Sequence, residues 1–236
     1  MSDLNGTAVT WLGHSTVHIE TAAGTSILID PFIEHNPKYP KGHVLPKKID
    51  LLLLTHGHSD HIADAVSVAK KYEPSVVAIF ELATWLGSKQ VANVIGMNMG
   101  GSYVHKDVTA TMVEARHSSS IEDDGRLIYG GEPAGFVITV AGGPTIYHAG
   151  DTSVYSDMQL LRELYQPGLA ILPIGDHYTM GPKAAAMAAK YVGASKVLPI
   201  HYGTFPPLTG TPEQLRSFLE GTGIEVKAIK PGESLR

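Results

Sequence analysis

Six consecutive residues, His56-Gly57-His58-Ser59-Asp60-His61, carry four side chains able to ligate a metal ion. Imidazole and carboxylate donors suit zinc, manganese, iron or nickel, and no soft sulfur ligand is among them. In extended backbone alternate residues point the same way, so His56 and His58 can grip one ion together. Asp60 and His61 then open the following turn and can face a second point nearby. Gly57 and Ser59 are small, which leaves room for a tight turn and a close metal. Three imidazoles and a carboxylate packed at a strand end without an ion would cost burial and repulsion for no gain in packing. Histidine is also abundant, 12 residues against 18 lysines and arginines together.

Three further candidates stand where a strand meets a loop. His117 follows Met112-Val113-Glu114-Ala115-Arg116, Asp151 follows a strand and a glycine, and His201 precedes Tyr202-Gly203. Sites on α/β scaffolds gather at such ends. Five histidines and two aspartates suffice for two divalent ions sharing a carboxylate and a solvent molecule. Asp30 ends a strand and is placed to accept the other N–H of a ligand imidazole. His14 is, with Asp30, a candidate to support the ligands from behind; it falls on the same edge as His148 and His177, and any of the three can bind substrate or move a proton. His177 ranks first among these, because Asp176-His177 stands in the second half where His56-Gly57-His58 stands in the first. His18, His35, His43 and His105 read as ordinary structural or surface histidines.

The elements that must position these residues read as follows. Strands are expected over 8–12, 15–20, 26–29, 49–54 and 75–80, with helices over 62–72 and 81–88. Residues 34–48, with three prolines and four lysines, read as a long surface loop that can sit over a binding site. A β-meander is expected from 91 to 141, interrupted by a polar, glycine-rich stretch at 118–134. Strands over 145–148, 169–174, 196–200 and 224–229 and helices over 156–165, 181–192 and 212–221 complete the chain. The two halves echo one another. GTSILIDP leads to LLLLTHGHSDHIADAVSVAKKY, and GPTIYHAGDT leads to AILPIGDHYTMGPKAAAMAAKY. Two similar layers packed face to face would put the polar loops of both halves at one edge.

At 236 residues with no dividing linker, residues 1–236 read as one domain. With no cysteine, disulfides, a thiolate nucleophile and sulfur-ligated metals are excluded. A net charge of −5 gives no footing for nucleic acid. No apolar run is long enough for a membrane span. Residues 1–6 lack the basic and apolar regions of a signal peptide, so the expected place is the cytoplasm.

Thr55-His56-x-His58-x-Asp60-His61 after an apolar strand, followed by separate His117, Asp151 and His201, resembles the metallo-β-lactamase superfamily. Trp11-Leu12-Gly13-His14-Ser15-Thr16, Ile29-Asp30-Pro31-Phe32, Tyr147-His148-Ala149-Gly150-Asp151-Thr152 and Pro199-Ile200-His201-Tyr202-Gly203-Thr204 resemble its small, single-domain metal-dependent hydrolase branch. L-ascorbate-6-phosphate lactonase is related to that branch. The resemblance implies an α/β fold, a four-layer αββα sandwich of two similar halves. It implies His56, His58 and His117 on one metal, Asp60, His61 and His201 on a second, and Asp151 bridging. The implied cofactors are two divalent ions, zinc first and manganese, nickel or iron as alternatives. A hydroxide held between them would attack a lactone, other ester, amide or phosphodiester, with Asp60 orienting or deprotonating the water.

The expected partner is a small-molecule substrate, with a homo-oligomer by analogy to relatives and no nucleic acid or membrane. The absent thiolate site, nuclease insert and helical domain of glyoxalase II argue against those better-known activities. A di-iron redox protein would need a flavin domain that the chain does not encode. A metal-binding phosphodiesterase or nuclease and a metal-bound sensor of the same fold without turnover are the remaining alternatives.

Overall fold

A computed structural model describes residues 4–236; Met1 to Asp3, half of the segment read for a leader, lie outside it. The first half runs β1 (Ala8–Trp11), β2 (Val17–Glu20), β3 (Ser26–Ile29), β4 (Leu51–Leu53), α1 (Ser59–Ile62), α2 (Ala65–Tyr72), β5 (Ser75–Ile79), α3 (Phe80–Ser88) and β6 (Val94–Met97). Then come β7 (Ser102–His105), β8 (Val108–Glu114), β9 (Ser120–Asp123), β10 (Arg126–Tyr129), β11 (Ala134–Val140) and β12 (Thr145–His148). The chain closes with α4 (Met158–Tyr165), β13 (Leu169–Pro173), α5 (Pro182–Val192), β14 (Lys196–Ile200), α6 (Pro212–Leu219), β15 (Glu225–Val226) and β16 (Ser234–Leu235).

Two seven-stranded sheets result, in the orders β16-β1-β2-β3-β4-β5-β6 and β15-β14-β13-β12-β11-β8-β7. The echo in the sequence is an echo in topology. In the first sheet β1, β2 and β3 pair antiparallel, and β4, β5 and β6 add in parallel. In the second, β8, β11 and β12 pair antiparallel, and β13, β14 and β15 add in parallel. Asp30 follows β3, and Asp151 follows its counterpart β12 after a short turn. The loops after β13 and β14 leave the same end of their sheet, because the two strands are parallel neighbours.

Alternation along the strands makes the layers. Phe136, Ile138, Ile171 and Leu198 of the second sheet pack with the first sheet, among Ile27, Leu52 and Val76. Their neighbours Val137, Ala170, Leu172 and Val197 face Met158, Ala185, Ala189 and Leu215 of α4, α5 and α6. Ala65, Val68, Leu82 and Leu86 of α2 and α3 cover the first sheet. The αββα sandwich expected from the resemblance is therefore the architecture. No helix among the described residues is long and apolar enough to cross a membrane.

Several boundaries differ from expectation for local reasons. The helix expected over 62–72 is two helices, because Asp64 turns aside to bind the preceding loop. Its Oδ2 accepts from the amides of Ile33 (2.7 Å) and Glu34 (3.2 Å). The meander expected over 91–141 belongs to both sheets, since β6 pairs parallel with β5 in the first. The interruption at 118–134 contains a β9–β10 hairpin. Its turn residues Asp124 (φ 48°) and Gly125 (φ 73°) both adopt left-handed backbone, which suits a tight hairpin. The strand expected over 224–229 shrinks to β15, and the unforeseen β16 pairs with β1 through Val9–Leu235 and Thr10–Ser234.

The far end of the sandwich is clasped by charge. Asp50, 3 % exposed, precedes β4, and its Oδ1 lies 2.6 Å from the ammonium groups of both Lys48 and Lys106. Its Oδ2 accepts from the Ser26 amide at 3.0 Å. Lys106 sits in the β7–β8 turn, so this contact ties the two sheets, as does the neighbouring bond from Thr25 to Asp107. Lys48, expected in a loop over the site, is committed here. Burial opposes ionisation of Asp50, but the Lys106, Lys48 and Ser26 contacts outweigh it and hold the carboxyl below its usual range.

Asp50→Ala is expected to cost about 2–3 kcal/mol by chemical denaturation, because it strands a buried amide and removes charge-assisted bonds. A lowered carboxyl contributes stability above the unfolded-state value near 4 and loses it as pH falls further. Asp50→Asn should therefore flatten the loss of stability on the acid side.

Candidate metal centre

The run after β4 folds as its residue types require. Leu54 to His58 leave the strand in irregular backbone, and α1 begins at Ser59. His56 and His58 point the same way, with His56 Nε2 3.0 Å from His58 Nδ1. Gly57 is needed for a different reason from the one its size suggests. A Cβ there would lie 2.7 Å from Ile121 Cγ1 and 3.0 Å from the Ser120 carbonyl. The neighbour that demands glycine is the β9 strand. The same hairpin holds the loop from above. Ser119 Oγ accepts from the Gly57 amide at 3.1 Å, and Ser118 Oγ lies 3.3 Å from His58 Nε2.

The seven residues named as ligands from the sequence converge. Donor atoms of His56, His58 and His117 lie within 4.8 Å of one another, and so do those of His14, Asp60, His61 and His201. Asp151 Oδ2 stands between the two groups. It is 3.4 Å from His61 Nε2, 3.7 Å from His117 Nε2 and 3.0 Å from His201 Nε2. Yet His61 Nε2, His201 Nε2 and Asp151 Oδ1 are buried without a hydrogen-bond partner. Buried polar atoms that face each other unbonded are costly unless something else sits among them. Nitrogen and carboxylate donors in these numbers fit divalent transition-metal ions.

A second ring of contacts fixes how the imidazoles point. Asp30, fully buried and in left-handed backbone (φ 46°), accepts from His61 Nδ1 at 2.8 Å. It also accepts from the Thr55 amide at 2.8 Å and the Thr55 hydroxyl at 2.6 Å. That hydroxyl in turn lies 3.0 Å from His56 Nδ1 and accepts from it. One carboxylate therefore directs the Nε2 atoms of both His56 and His61 inward, and Asp30 has the orienting place expected of it. Its nearness to the donor atoms of His56 and His61 follows from this role. His14 donates from Nε2 to Asp60 Oδ2 at 3.0 Å.

His148 and His177, the two other catalytic candidates, stand apart from these groups. His148 is fully buried, and its Nδ1 accepts from the Gly150 amide at 3.2 Å, which shapes the turn carrying Asp151. His177 is exposed and meets Tyr178 edge-on at 4.4 Å. Sequence reasoning missed Thr55, Ser118, Ser119 and Thr152. Thr152 Oγ1 accepts from the Arg116 amide at 2.9 Å and so ties the His117 loop to the Asp151 turn. The available signal was a hydroxyl residue beside three candidate ligands, Thr55 beside His56, Ser118 beside His117 and Thr152 beside Asp151.

Protonation suits a cation. Burial, then the neighbouring imidazoles, holds His56 well below its ordinary value, and burial lowers His58 and His117. Burial also brings His14 down to about 4, so it donates as a neutral ring. Burial works against charge on Asp60, but the His14 bond and the imidazoles keep it ionised. Asp151 is likewise ionised, because His201 and His61 outweigh its burial. His61 is the exception. Burial disfavours its cation, but Asp151 and Asp30 outweigh burial and raise it well above its ordinary value. A proton on His61 thus supplies positive charge that a bound ion would bring in its place, releasing the proton.

Removing the orienting charge should loosen ion binding without emptying the site. Asp30→Asn keeps a residue that tolerates left-handed backbone. Its Zn²⁺ affinity, measured by competition with a chromophoric chelator, is expected to fall about 10- to 100-fold.

The chain is similar to known proteins. Residues 25–202 match the Beta-lactamase superfamily domain. A UPF0173 metal-dependent hydrolase of Koribacter versatilis (strain Ellin345) is 49 % identical over 98 % of this chain and 99 % of its own. One from Solibacter usitatus (strain Ellin6076) is 50 % identical over 97 % and 99 %. The solved structure of Igni18, a metallo hydrolase from Ignicoccus hospitalis, superposes with a TM-score of 0.84 at 35 % identity, covering 97 % of each chain. An isothiocyanate hydrolase from Delia radicum gut bacteria shares the fold at TM-score 0.71 and 19 % identity, over 97 % of this chain and 98 % of that one. The chain belongs to the β-lactamase superfamily, within its UPF0173 metal-dependent hydrolases.

Proposed function

We propose that the site holds two divalent transition-metal ions and hydrolyses a small ester-type substrate, a lactone or a phosphoester. The observation that carries this reading is Asp151. Its carboxylate lies against three imidazole Nε2 atoms from three separate segments of the chain, and two of those atoms have no hydrogen bond. His56, His58 and His117 would hold one ion, Asp60, His61 and His201 the other, and Asp151 would belong to both. Such ions supply a water acidic enough to act as nucleophile near neutral pH and polarise the oxygen under attack. Zinc is the first metal to test, with manganese, nickel and iron next, and the cytoplasm is the expected compartment.

The residues of the chain do the rest. Asp30 and Asp151 are buried, whereas the Asp60 side chain is 32 % exposed, so Asp60 is the carboxylate that meets incoming water and substrate. Its Oδ2 is held by His14, which leaves Oδ1 to orient the attacking water or take its proton. His58 and His117 are half-buried and mark the open side; His56, His61 and His201 close the back. Beside His117 a cleft of about 610 Å³ is lined by Met99, Glu114, Arg116, Glu132 and Pro133. That volume suits the non-reacting part of a small molecule. The hydrolase names of the relatives and of Igni18 support the reaction class.

Elemental analysis of protein purified without a tag or chelator should find about two transition-metal ions per chain. The loaded protein should turn over a member of a panel of lactones and phosphodiesters. Asp60→Ala should lower that rate by about 100-fold or more. Full metal content with no turnover on any member would contradict the hydrolase reading and leave the metal-bound sensor in its place.

A further inference from the structure

His14 reaches the site from the β1–β2 turn, in the opposite sheet from His201. Two left-handed residues meet there, His14 at φ 53° and His201 at φ 55°. This backbone is costly for residues other than glycine and persists only where the surroundings enforce it. The enforcement is visible. The Gly13 carbonyl accepts from Asn36 Nδ2 at 3.2 Å, and a Cβ on Gly13 would lie 2.6 Å from the Lys38 carbonyl. The His14 carbonyl accepts from Trp11 Nε1 at 2.9 Å and from the His201 amide at 3.0 Å. The fully buried His14 ring lies 4.0 Å from the His201 ring, centroid to centroid, and meets Phe32 and Phe205 edge-on at 5.7 and 5.4 Å. Its Nε2 donates to Asp60 Oδ2.

His14 thus touches all three residues proposed for the second ion: Asp60 by its side-chain hydrogen bond, His201 by its backbone and ring face, and His61 ring edge to ring at 5.6 Å. Its hydrogen-bond and ring contacts reach none of His56, His58 and His117. We infer that His14 is a positioning residue that builds the Asp60–His61–His201 seat and leaves the His56–His58–His117 seat to stand without it. The inference rests on the two-ion reading above and deepens it. It makes the two seats unequal. Occupancy of the Asp60–His61–His201 seat is set by a residue outside the ligand motif.

The test is Co²⁺ stoichiometry and affinity, by titration and elemental analysis, with circular dichroism confirming the fold of each metal-free variant. His14→Phe keeps an aromatic ring against His201, Phe32 and Phe205 but removes the donor. It is expected to bind one equivalent where the wild type binds two. His14→Gln returns an amide donor near the position of Nε2 and should recover the second equivalent, at least tenfold weaker than wild type. In a His58→Ala background, which retains one seat, adding His14→Phe should abolish binding. Two equivalents of wild-type affinity in both His14→Phe and His14→Gln overturn the inference alone. Loss of both equivalents in a folded His14→Phe also overturns it, since the three-histidine seat would then depend on His14. If His14→Phe does not fold, His14→Gln decides, and an unchanged second affinity overturns the inference. Fewer than two equivalents in the wild type overturn the two-ion reading, and this inference with it.

Discussion

Too few protons lie between the donor atoms at the mouth of the sandwich. His61 Nε2, His201 Nε2 and Asp151 Oδ1 are buried and unbonded, although Asp151 Oδ2 approaches three imidazoles within 3.7 Å. Burial keeps His56, His58 and His117 neutral, and Asp60 and Asp151 are ionised, so the cluster has lone pairs and negative charge to spare. Protonated His61 between Asp30 and Asp151 offsets part of that charge. In the reading proposed here the balance is supplied by divalent ions, and the surrounding structure serves to hold the donors in a geometry they would not choose alone.

The fold meets that demand by using one plan twice. Each half runs antiparallel strands into parallel ones, so its polar loops leave at the same edge. Facing the sheets brings the loops of both halves into one cluster. The first half supplies the dense motif and its orienting Asp30. The second half supplies single residues, Asp151 after β12 and His201 after β14, with His117 arriving from the loop after β8. Contacts across the halves lock the assembly: Thr55 against Gly150, His14 against the His201 amide, and the β9 strand against Gly57. At the far end Asp50 and Lys106 hold the same two sheets. Precision at the site therefore depends on the sheets keeping their mutual position, which makes the Asp50 clasp relevant to the centre although it lies remote from it.

Much of this was legible in the residues. Unbroken apolar runs such as Leu51 to Leu54 and Leu169 to Leu172 marked strands buried on both faces. The His56–His61 spacing marked a chemistry whose donors do converge in the structure. What escaped were arrangements decided by partners distant in sequence. The split at Asp64 depends on the amides of Ile33 and Glu34, and β16 forms because β1 has a free edge. The β9–β10 hairpin was local and readable, since Asp124-Gly125 is a hairpin turn pair, but the polar residues around it masked the short strands. The analogy between His177 and His56 failed to carry the side chain inward. Asp176 and His177 both take left-handed backbone, and His177 ends on the surface. Position in a repeat predicts where a loop goes, whereas its backbone conformation decides where a side chain points.

The most direct test of the central claim is crystallographic, using anomalous scattering from zinc-loaded protein at the zinc absorption edge. Two peaks per chain are expected, one among His56, His58 and His117 and one among Asp60, His61 and His201, with Asp151 between them. A single peak, or peaks away from Asp151, would contradict that claim.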